Sequence, residues 1–454
     1  MSGVSAVGSP AADPIPDKGP IERLLSPIAD VRRGEATSAL LMMGTMFLML
    51  FGYYLLKTAR EGFILSEGGA EVKSYSSAGQ ALLLLGIVPA YGMLASRVNR
   101  VQLVQWVTLF FASNLVMFLA ALAAGMRVGI VFFLWLGIFN VMVIAQFWAF
   151  AADLYTEEQG KRLFPMIGIG SSLGAWLGSV RAGQVAAQYT AARLLLGGAV
   201  VLVICVVLMR IADAVTRRES KEQSKVAGQK LAPGPSGFSM ILSNRYLTLI
   251  AALVVLLNVV NTCGEYLFGR YVVETANATF GSAPDAEAAR QQFIVQTYGT
   301  YFAYINLTGF LLQTFVVSRV FKFVGVSRAL FIHPTIALAS YLLMLRAPSF
   351  EAIRFLKTAD NSINYSLGNT TMQALWLPTT RETKYKAKQA VDSFCVRAGD
   401  VLQAGVVYAG ELTSLSVSGF AAVNVCFALG WLGAAAGLSD RLHSRARRGD
   451  AAEL

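Results

Sequence analysis

Long apolar stretches alternate with short polar ones along almost the whole chain. Twelve of these stretches approach the ~20 residues with which an α-helix crosses a bilayer. We predict spans at residues 38–60, 75–95, 101–124, 128–152, 163–187, 192–214, 246–271, 293–317, 324–346, 350–376, 389–410 and 415–438. The stretches are too long and continuous for the strands of a membrane barrel, which leaves helices as the spanning structure. The pattern predicts an all-α integral membrane protein with twelve transmembrane helices.

Basic residues are concentrated in alternate connections and at the two ends of the chain. These residues include Arg97, Arg100, Lys161, Arg162, Arg217, Arg218, Arg319, Lys322, Arg381, Lys384, Arg441 and Arg445. The opposite connections carry few, such as Lys73, Arg127, Arg193 and Arg290. Because basic loops stay in the cytoplasm, we expect both termini there. This topology explains the net charge of +11 without a nucleic-acid partner.

Three short patterns recur in the same order in both halves of the chain. Residues 96–100 resemble residues 318–322, and residues 154–161 resemble residues 377–384. In addition, the first and seventh spans both end in a Tyr followed by an Arg. The partners lie roughly 210 to 223 residues apart, and we attribute the drift to an inserted external loop near residues 274–292. Duplicated halves are typical of secondary transporters and predict two six-helix bundles.

The loops divide the chain into five parts. We predict a flexible cytoplasmic tail at 1–34, a bundle at 35–215, a cytoplasmic linker at 216–244, a second bundle at 245–440, and a basic cytoplasmic tail at 441–454. The linker contains Pro233-Gly234-Pro235-Ser236-Gly237, a composition typical of a flexible tether.

Sequence patterns for ATP hydrolysis, nucleophilic catalysis and metal binding are missing. The chain has no G-x-x-x-x-G-K-[ST] loop, and its four cysteines and two histidines are too scattered for a metal site. Gly170, Gly174 and Gly178 are spaced for close helix packing rather than for a nucleotide-binding loop. We therefore expect neither an enzyme nor a bound metal or cofactor.

Ionisable residues end the first span. In the sequence FGYYLLKTARE at 51–61, a helix places Tyr53, Lys57, Arg60 and Glu61 on one face. Charged groups within a membrane helix are costly, so they usually face the protein interior or a watery cavity. This face is the first candidate for a site that handles a polar solute.

Further ionisable residues lie in the fifth, seventh, tenth and eleventh spans. Together with the first span they give eight candidate solute-binding residues: Tyr53, Lys57, Arg60, Arg181, Glu265, Arg270, Lys357 and Arg397. Four acidic residues are candidates for coupling or gating: Glu61, Asp360, Asp392 and Asp400. The excess of Lys and Arg suits an anionic solute, because both bind phosphate and carboxylate well. The alternative for any single pair, such as Arg397 with Asp400, is a structural lock or gate between helices.

The connection after the second span resembles a known loop. Gly92, Arg97 and Arg100 match the G-x-x-x-D-R-x-G-R loop of the major facilitator superfamily, with Ser96 and Asn99 in place of Asp and Gly. This resemblance implies two bundles that rock about a central site.

Several segments resemble the nucleotide-exchange (ATP/ADP) translocases of plastids and obligate intracellular bacteria. These segments are 51–61, 147–151 with 161–165, 244–246 with Glu265, and 377–399. The resemblance assigns the family's first-span basic group to Arg60 and its seventh-span carboxylate to Glu265. The chain departs from the family near Leu136, where a Glu is missing, and at Asp400, where a Lys is replaced and Arg397 is one turn away.

The resemblance implies exchange of ATP, ADP or another nucleotide across the membrane. We therefore expect a monomeric secondary transporter of a nucleotide or similar phosphorylated anion in a bacterial inner (plasma) membrane. Two alternatives stay open at this point. One is a proton-coupled transporter of another organic anion, working through Glu265 or Asp400. The other is a membrane scaffold or assembly factor that does not transport.

Overall fold

The computed structural model describes residues 25, 31–32, 35–95, 100–219, 237–281, 283, 286–346 and 349–448. All regular structure in these ranges is helical. Most of the predicted N-terminal tail, the centre of the linker, residues 96–99 of the repeat and the last six residues lie outside the described part of the chain.

The first helix, α1 (Ala36–Ala95), contains both the first and the second span. It is broken at Gly69, whose φ of 74° and ψ of −174° are not helical. Lys73 Nζ lies 2.7 Å from Glu61 Oε2 although the two residues are twelve positions apart. A straight helix would separate them by about 18 Å, so the chain turns back on itself at Gly69. A positive φ favours glycine at this turn because it has no β-carbon to clash with the backbone.

The remaining spans of the first half follow in order. They are α2 (Arg100–Ala123), a fourth span made of α3 (Gly129–Phe139), a π-helical segment (Asn140–Ile144) and α4 (Ala145–Leu154), then α5 (Glu157–Gln188) and α6 (Ala192–Glu219). Thr156 caps α5 by accepting a hydrogen bond from the Gln159 backbone N–H, and the Gln159 side chain accepts one from the Thr156 N–H in return.

The second half begins with a short helix, α7 (Gly237–Ser243), and a long one, α8 (Arg245–Phe280). They are followed by α9 (Glu287–Phe315), α10 (Val317–Phe323), α11 (Val326–Ala329) and α12 (Ile332–Met344). The expected external loop near 274–292 is wrong in extent, because α8 and α9 extend into it and leave a connection of only 281–286.

The last three spans include two more π-helical segments. The tenth span consists of α13 (Phe350–Ile363), a π segment (Asn364–Gly368) and α14 (Asn369–Ala374). The eleventh consists of α15 (Arg381–Ala390), a π segment (Val391–Cys395) and α16 (Val396–Leu412). The twelfth is α17 (Val417–Arg448), which continues well past the predicted end of its span.

Glycines let α5 pack directly on the first arm of α1. A β-carbon on Gly170 would lie 2.5 Å from the Met43 carbonyl oxygen, and one on Gly178 would lie 2.5 Å from the Phe51 carbonyl oxygen. These distances are shorter than any real β-carbon contact, so only glycine allows this approach. The predicted packing seam at Gly170, Gly174 and Gly178 is confirmed.

Contacts between the two halves gather toward the end of the spans at which α1 turns back. Ser66 accepts a hydrogen bond from Gln291 at 3.4 Å, and Ser74 accepts one from Gln403 at 3.1 Å. Nearer the other end of the spans, the hydrogen bond from the Tyr246 hydroxyl to the Leu375 carbonyl lies within the second half and does not join the two halves. In this conformation the halves contact each other from the Gly69 end to the middle of the spans, where Asn306 on α9 donates a hydrogen bond to Ser179 on α5 at 3.2 Å.

Candidate functional site

A cavity of about 300 Å³ lies between the two halves. The first half contributes both arms of α1 and a ring from α3, and the second half contributes α8, α9, the tenth span and α16. Its lining is rich in polar and charged groups: Tyr53, Lys57, Arg60, Glu61, Lys73, Ser74, Ser77, Gln80, Phe133, Asn261, Thr262, Glu265, Tyr266, Phe302, Asn361, Tyr365, Arg397, Asp400 and Gln403.

The first-span face predicted from the sequence lines this cavity. Glu61, only 1% exposed, is the acceptor that organises it. Arg60 donates to Glu61, and Lys73 from the second arm of α1 forms an ion pair with the same carboxylate. The Arg60 guanidinium also lies 4.4 Å from the centre of the Phe133 ring. Glu61 thus holds two cations at the cavity wall and neutralises one of their charges.

Lys57 is the cation that has no counter-charge in contact. Among the described residues its ammonium has no hydrogen bond or ion pair, and it lies 4.3 Å from the Phe302 ring centre and 5.0 Å from that of Tyr54. Aromatic faces stabilise a cation by about 0.5–2 kcal/mol, less than an anionic partner in a desolvated site would. Lys57 is therefore a cavity cation whose charge no contacting carboxylate in the described part of the chain compensates.

A buried charge cluster lies behind the cavity in the second half. Lys357 has no exposed surface, and its ammonium donates to Asp360 at 2.9 Å and to the Asn261 amide oxygen at 3.0 Å. Asp360 also contacts His333 Nε2 at 3.3 Å. Together these contacts satisfy a lysine that would otherwise be very unfavourable in the membrane interior.

Glu265 connects this cluster with the cavity. Its carboxylate accepts hydrogen bonds from Asn361 at 2.6 Å and Tyr301 at 2.9 Å, and it lies 3.8 Å from Lys357 Nζ. Its side chain is 22% exposed, toward the cavity that it lines. One lysine thus stands beside two carboxylates, and Glu265 is the one that a solute can reach.

The eleventh span adds a pair of opposite charges. Arg397 Nη1 lies 3.4 Å from Asp400 Oδ2, and Asn258 donates to Asp400 Oδ1 at 2.8 Å. A β-carbon on Gly399 would be 2.8 Å from Asn258, so the close approach of α8 and α16 depends on that glycine. Both charged groups of the pair line the cavity.

The structure brings seven of the twelve predicted site residues to the cavity wall: Tyr53, Lys57, Arg60, Glu61, Glu265, Arg397 and Asp400. Lys357 and Asp360 lie directly behind it. Three residues lie elsewhere. Arg181 is exposed on α5, Arg270 is paired with Glu274 and Glu411, and the half-exposed Asp392 is paired with Lys388.

Twelve of the nineteen cavity-lining residues were not predicted as site residues, and Lys73 and Gln80 are two of them. Lys73 was assigned to an external loop, but it lies in the second arm of α1 with a side chain only 11% exposed. The charge of Lys73 at the edge of an apolar stretch was a sequence signal that could have assigned it to the second span. Gln80 lines the cavity with a buried amide oxygen that has no hydrogen-bond partner in the described part of the chain. An isolated Gln in a span carries little sequence signal.

Several solved structures share this architecture. The crystal structure of the nucleoside transporter NupG superposes with a TM-score of 0.59 at 13% identity, covering 87% of this chain and 98% of its own. A bacterial homologue of the iron transporter ferroportin, in an inward-facing state, gives 0.60 at 12% identity, covering 89% and 98%. A proton-dependent oligopeptide transporter gives 0.58 at 13% identity, covering 88% and 99%. No protein-family model and no curated protein sequence matches the chain.

The chain is a multi-pass membrane protein with the twelve-helix fold of major facilitator transporters. This confirms the predicted fold class of two six-helix bundles. At 12–13% identity, the likeness concerns the fold alone.

Proposed function

We propose that this protein is a secondary transporter of an anionic organic solute, specifically a nucleotide or similar phosphorylated compound. The observation that carries this proposal is the cavity between the halves, where Lys57 is a cation without a contacting counter-charge. A phosphate or carboxylate placed there would gain a charge-assisted hydrogen bond in a partly desolvated site. Arg60 lies one helical turn away on the same face and could share the anion.

The rest of the lining suits a solute with a ring. Tyr53, Phe133, Phe302 and Tyr365 surround the charged groups, and aromatic faces accept a flat base or sugar by stacking. The cavity volume of about 300 Å³ is at the lower end of small-ligand pockets, which favours a compact solute such as a nucleoside monophosphate in this conformation. The nucleoside transporter among the similar structures and the resemblance to nucleotide-exchange translocases support the same class of solute.

Transport would proceed by alternating access. In the present conformation the halves meet at the Gly69 end, through contacts such as that between Lys73 and Tyr298 at 3.4 Å. If both termini are cytoplasmic, as the basic loops predict, this state faces the cytoplasm. The solute would promote the change between the two states by binding them with different affinities. Exchange follows if the carrier without solute changes its conformation slowly.

The decisive experiment measures uptake of labelled nucleotides into proteoliposomes that contain each candidate counter-solute. Lys57→Gln should weaken solute binding about 10- to 100-fold, the loss expected for one hydrogen bond to a charged group, and Lys57→Arg should retain part of it. Lys322→Gln removes an exposed cation away from the cavity and is the matched control. Folded protein that exchanges no nucleotide would refute the nucleotide assignment. Equal binding by Lys57→Gln would refute the site.

Glu265 favours a second candidate function, proton-coupled transport of another organic anion. It is a carboxylate that lines the cavity beside a buried lysine and could be neutralised by one proton per cycle. Uptake would then depend on an imposed pH gradient, and Glu265→Gln would abolish that dependence while leaving solute binding intact. Exchange that is indifferent to the gradient would exclude this candidate. If neither assay detects transport but partner proteins co-purify with the chain, the scaffold alternative would gain support.

A further inference from the structure

A second groove lies on the membrane-facing surface where the two halves meet. It has a volume of about 570 Å³ and runs between α5 and α9. One stripe of α5, with Trp176, Val180 and Gln184, faces one stripe of α9, with Thr300 and Tyr304. Both stripes recur at helical spacing, so the groove follows the two helices for several turns.

Two glycines bring the backbones of α5 and α9 into contact beside the groove. A β-carbon on Gly299 would lie 2.7 Å from the Gly183 Cα, so the backbones of the two helices touch there. The two glycines also line the groove or adjoin its lining, and they belong to opposite halves of the molecule. Any rocking of the halves must change the shape of this groove.

Arg181 lies at the rim of this groove, not at the central cavity. It is exposed, and its guanidinium donates to the groove-lining Gln184 at 3.1 Å. Arg181 is seven residues before the end of α5, which places it about 10 Å from that end of the helix. A charged group at this depth on a lipid-facing surface is stabilised when it extends to water or to an anionic group at the membrane interface.

We propose that this groove binds an anionic phospholipid, with Arg181 pairing with the headgroup phosphate region and the acyl chain lying between α5 and α9. The charge of Arg181 selects an anionic headgroup, and the apolar wall of Trp176, Val180 and Leu307 receives the chain. Gln184, Thr300 and Tyr304 offer polar contacts to the glycerol and ester groups. Because the groove is shaped by both halves, the bound lipid stabilises the present conformation over one in which α5 and α9 separate.

The test uses Trp176 as a reporter inside the groove. The full-length protein is reconstituted with phosphatidylglycerol or phosphatidylcholine, each carrying brominated acyl chains that quench tryptophan on contact. The Trp176 signal is the difference between the wild type and Trp176→Phe. We expect about fivefold preferential quenching by phosphatidylglycerol, on the order of the effect of one basic group beside an anionic membrane surface. Arg181→Gln should remove this preference.

Arg193→Gln is the matched control. Arg193 is a cation near the same end of the bundle, and its guanidinium lies 3.7 Å from the Tyr189 ring centre. The control should keep the preference for phosphatidylglycerol. Equal quenching by both lipids in the wild type would overturn the proposal, and so would suppression of the preference by soluble glycerol phosphate. Concentration-dependent protection of Trp176 from both lipids would indicate a second copy of the chain in the groove and would also overturn it. None of these outcomes depends on whether nucleotides are transported.

Discussion

At the scale of single residues, the buried charge pairs explain why some side chains cannot be substituted one at a time without a loss of stability. Lys357 is fully buried, and its ammonium donates hydrogen bonds to Asp360, Asn261 and Asn361. Removing one partner of such a pair leaves an uncompensated charge in a region of low polarity. Gly264 makes room for this arrangement, since a β-carbon there would lie 2.9 Å from Lys357 Nζ.

Lys357→Met is expected to destabilise the protein by about 3–5 kcal/mol, because Asp360 then stays buried without its ammonium partner. Lys357→Met combined with Asp360→Asn should recover part of that loss. Thermal unfolding of the purified variants in one detergent measures both. A double variant no more stable than the single one would show that the pair is not the source of the loss.

The position of the Gln80 side chain depends on Gly137, which has no side chain to occupy the same space. A β-carbon on Gly137 would overlap the end of the Gln80 side chain, so Gly137→Ala must push the amide out of its place. We expect Gly137→Ala to lower solute affinity several-fold with a small stability cost, because a flexible side chain can move. In a Gln80→Ala background the same change should have little effect. Additive losses of affinity in this double-mutant cycle would contradict the coupling.

At the scale of helices, glycine positions and π segments determine how the spans fit together. The π segments of the fourth and tenth spans begin at Asn140 and Asn364, 224 residues apart. This separation nearly equals the 223 residues between Leu154 and Leu377 in the sequence repeat. The two halves thus repeat a local helix irregularity as well as a loop sequence, and such irregularities are frequent at functional sites.

The packing of α5 on α1 offers a test with an internal control. Gly174→Val is expected to destabilise the protein by several kcal/mol, because its side chain would overlap the Phe47 backbone. Gly168→Val lies on the same helix, where a β-carbon has nothing within 4 Å, and should cost far less. The unfolding temperatures of the two variants measure the difference. Equal decreases would show that the packing of α5 on α1 does not depend on this seam.

A salt bridge joins the starts of α1 and α5 and gives a pH dependence. Burial tends to raise the pKa of Glu35, but hydrogen bonds from Arg162, the Arg32 backbone and Gln159 outweigh burial and lower that pKa below its usual value. The stabilisation is therefore complete above the unfolded pKa of about 4.3 and is lost as the pH falls through the folded value. Glu35→Gln should cost about 1 kcal/mol at neutral pH. Unfolding curves of both proteins should converge in acid, and a constant difference would contradict this account.

Apolar stretches of sufficient length predicted the helical membrane fold, because length and hydropathy determine whether a helix can cross a bilayer. Among the described residues seven helices meet that condition, or eight if α9 and α10 form one bent span, since α1 contains two predicted spans and π-helical segments divide three others. Six of the seven site residues that reach the cavity were found because charge in a span is rare, and Tyr53 was found because it shares a helix face with Lys57. Lys357 and Asp360 are also charged residues within a predicted span, but their side chains pair with each other inside the second half. Arg181 carries the same signal but is exposed on the outer surface of α5. Sequence periodicity cannot tell these three environments apart, since the direction in which a helix face points depends on its neighbours.

At the scale of the whole molecule, the central cavity lies between two halves that are joined toward one end. Gly62, Ser66 and Lys73 of the first half meet Val295, Gln291 and Tyr298 of the second there. A carrier that alternates must break these contacts and form others at the opposite end.

Cross-linking tests this requirement. In a variant whose four cysteines are replaced, Ser66→Cys and Gln291→Cys joined by a cleavable thiol cross-linker should reduce solute uptake at least tenfold, and cleavage should restore it. The control links Glu35→Cys to Arg162→Cys within one half, which should leave uptake unchanged. Full uptake by the first linked protein would show that the Gly69 end does not need to open.

The reversal at Gly69 has a consequence for how the chain enters the membrane. One residue with positive φ separates two spans that continue as helix on either side. The connection between the two spans is therefore extremely short, and its polar side chains, such as Glu67 and Glu71, belong to the helical turns on either side of Gly69. During synthesis the two spans should enter the bilayer together as one hairpin, and the pairing of Glu61 with Lys73 would reduce the cost of moving either charge across alone.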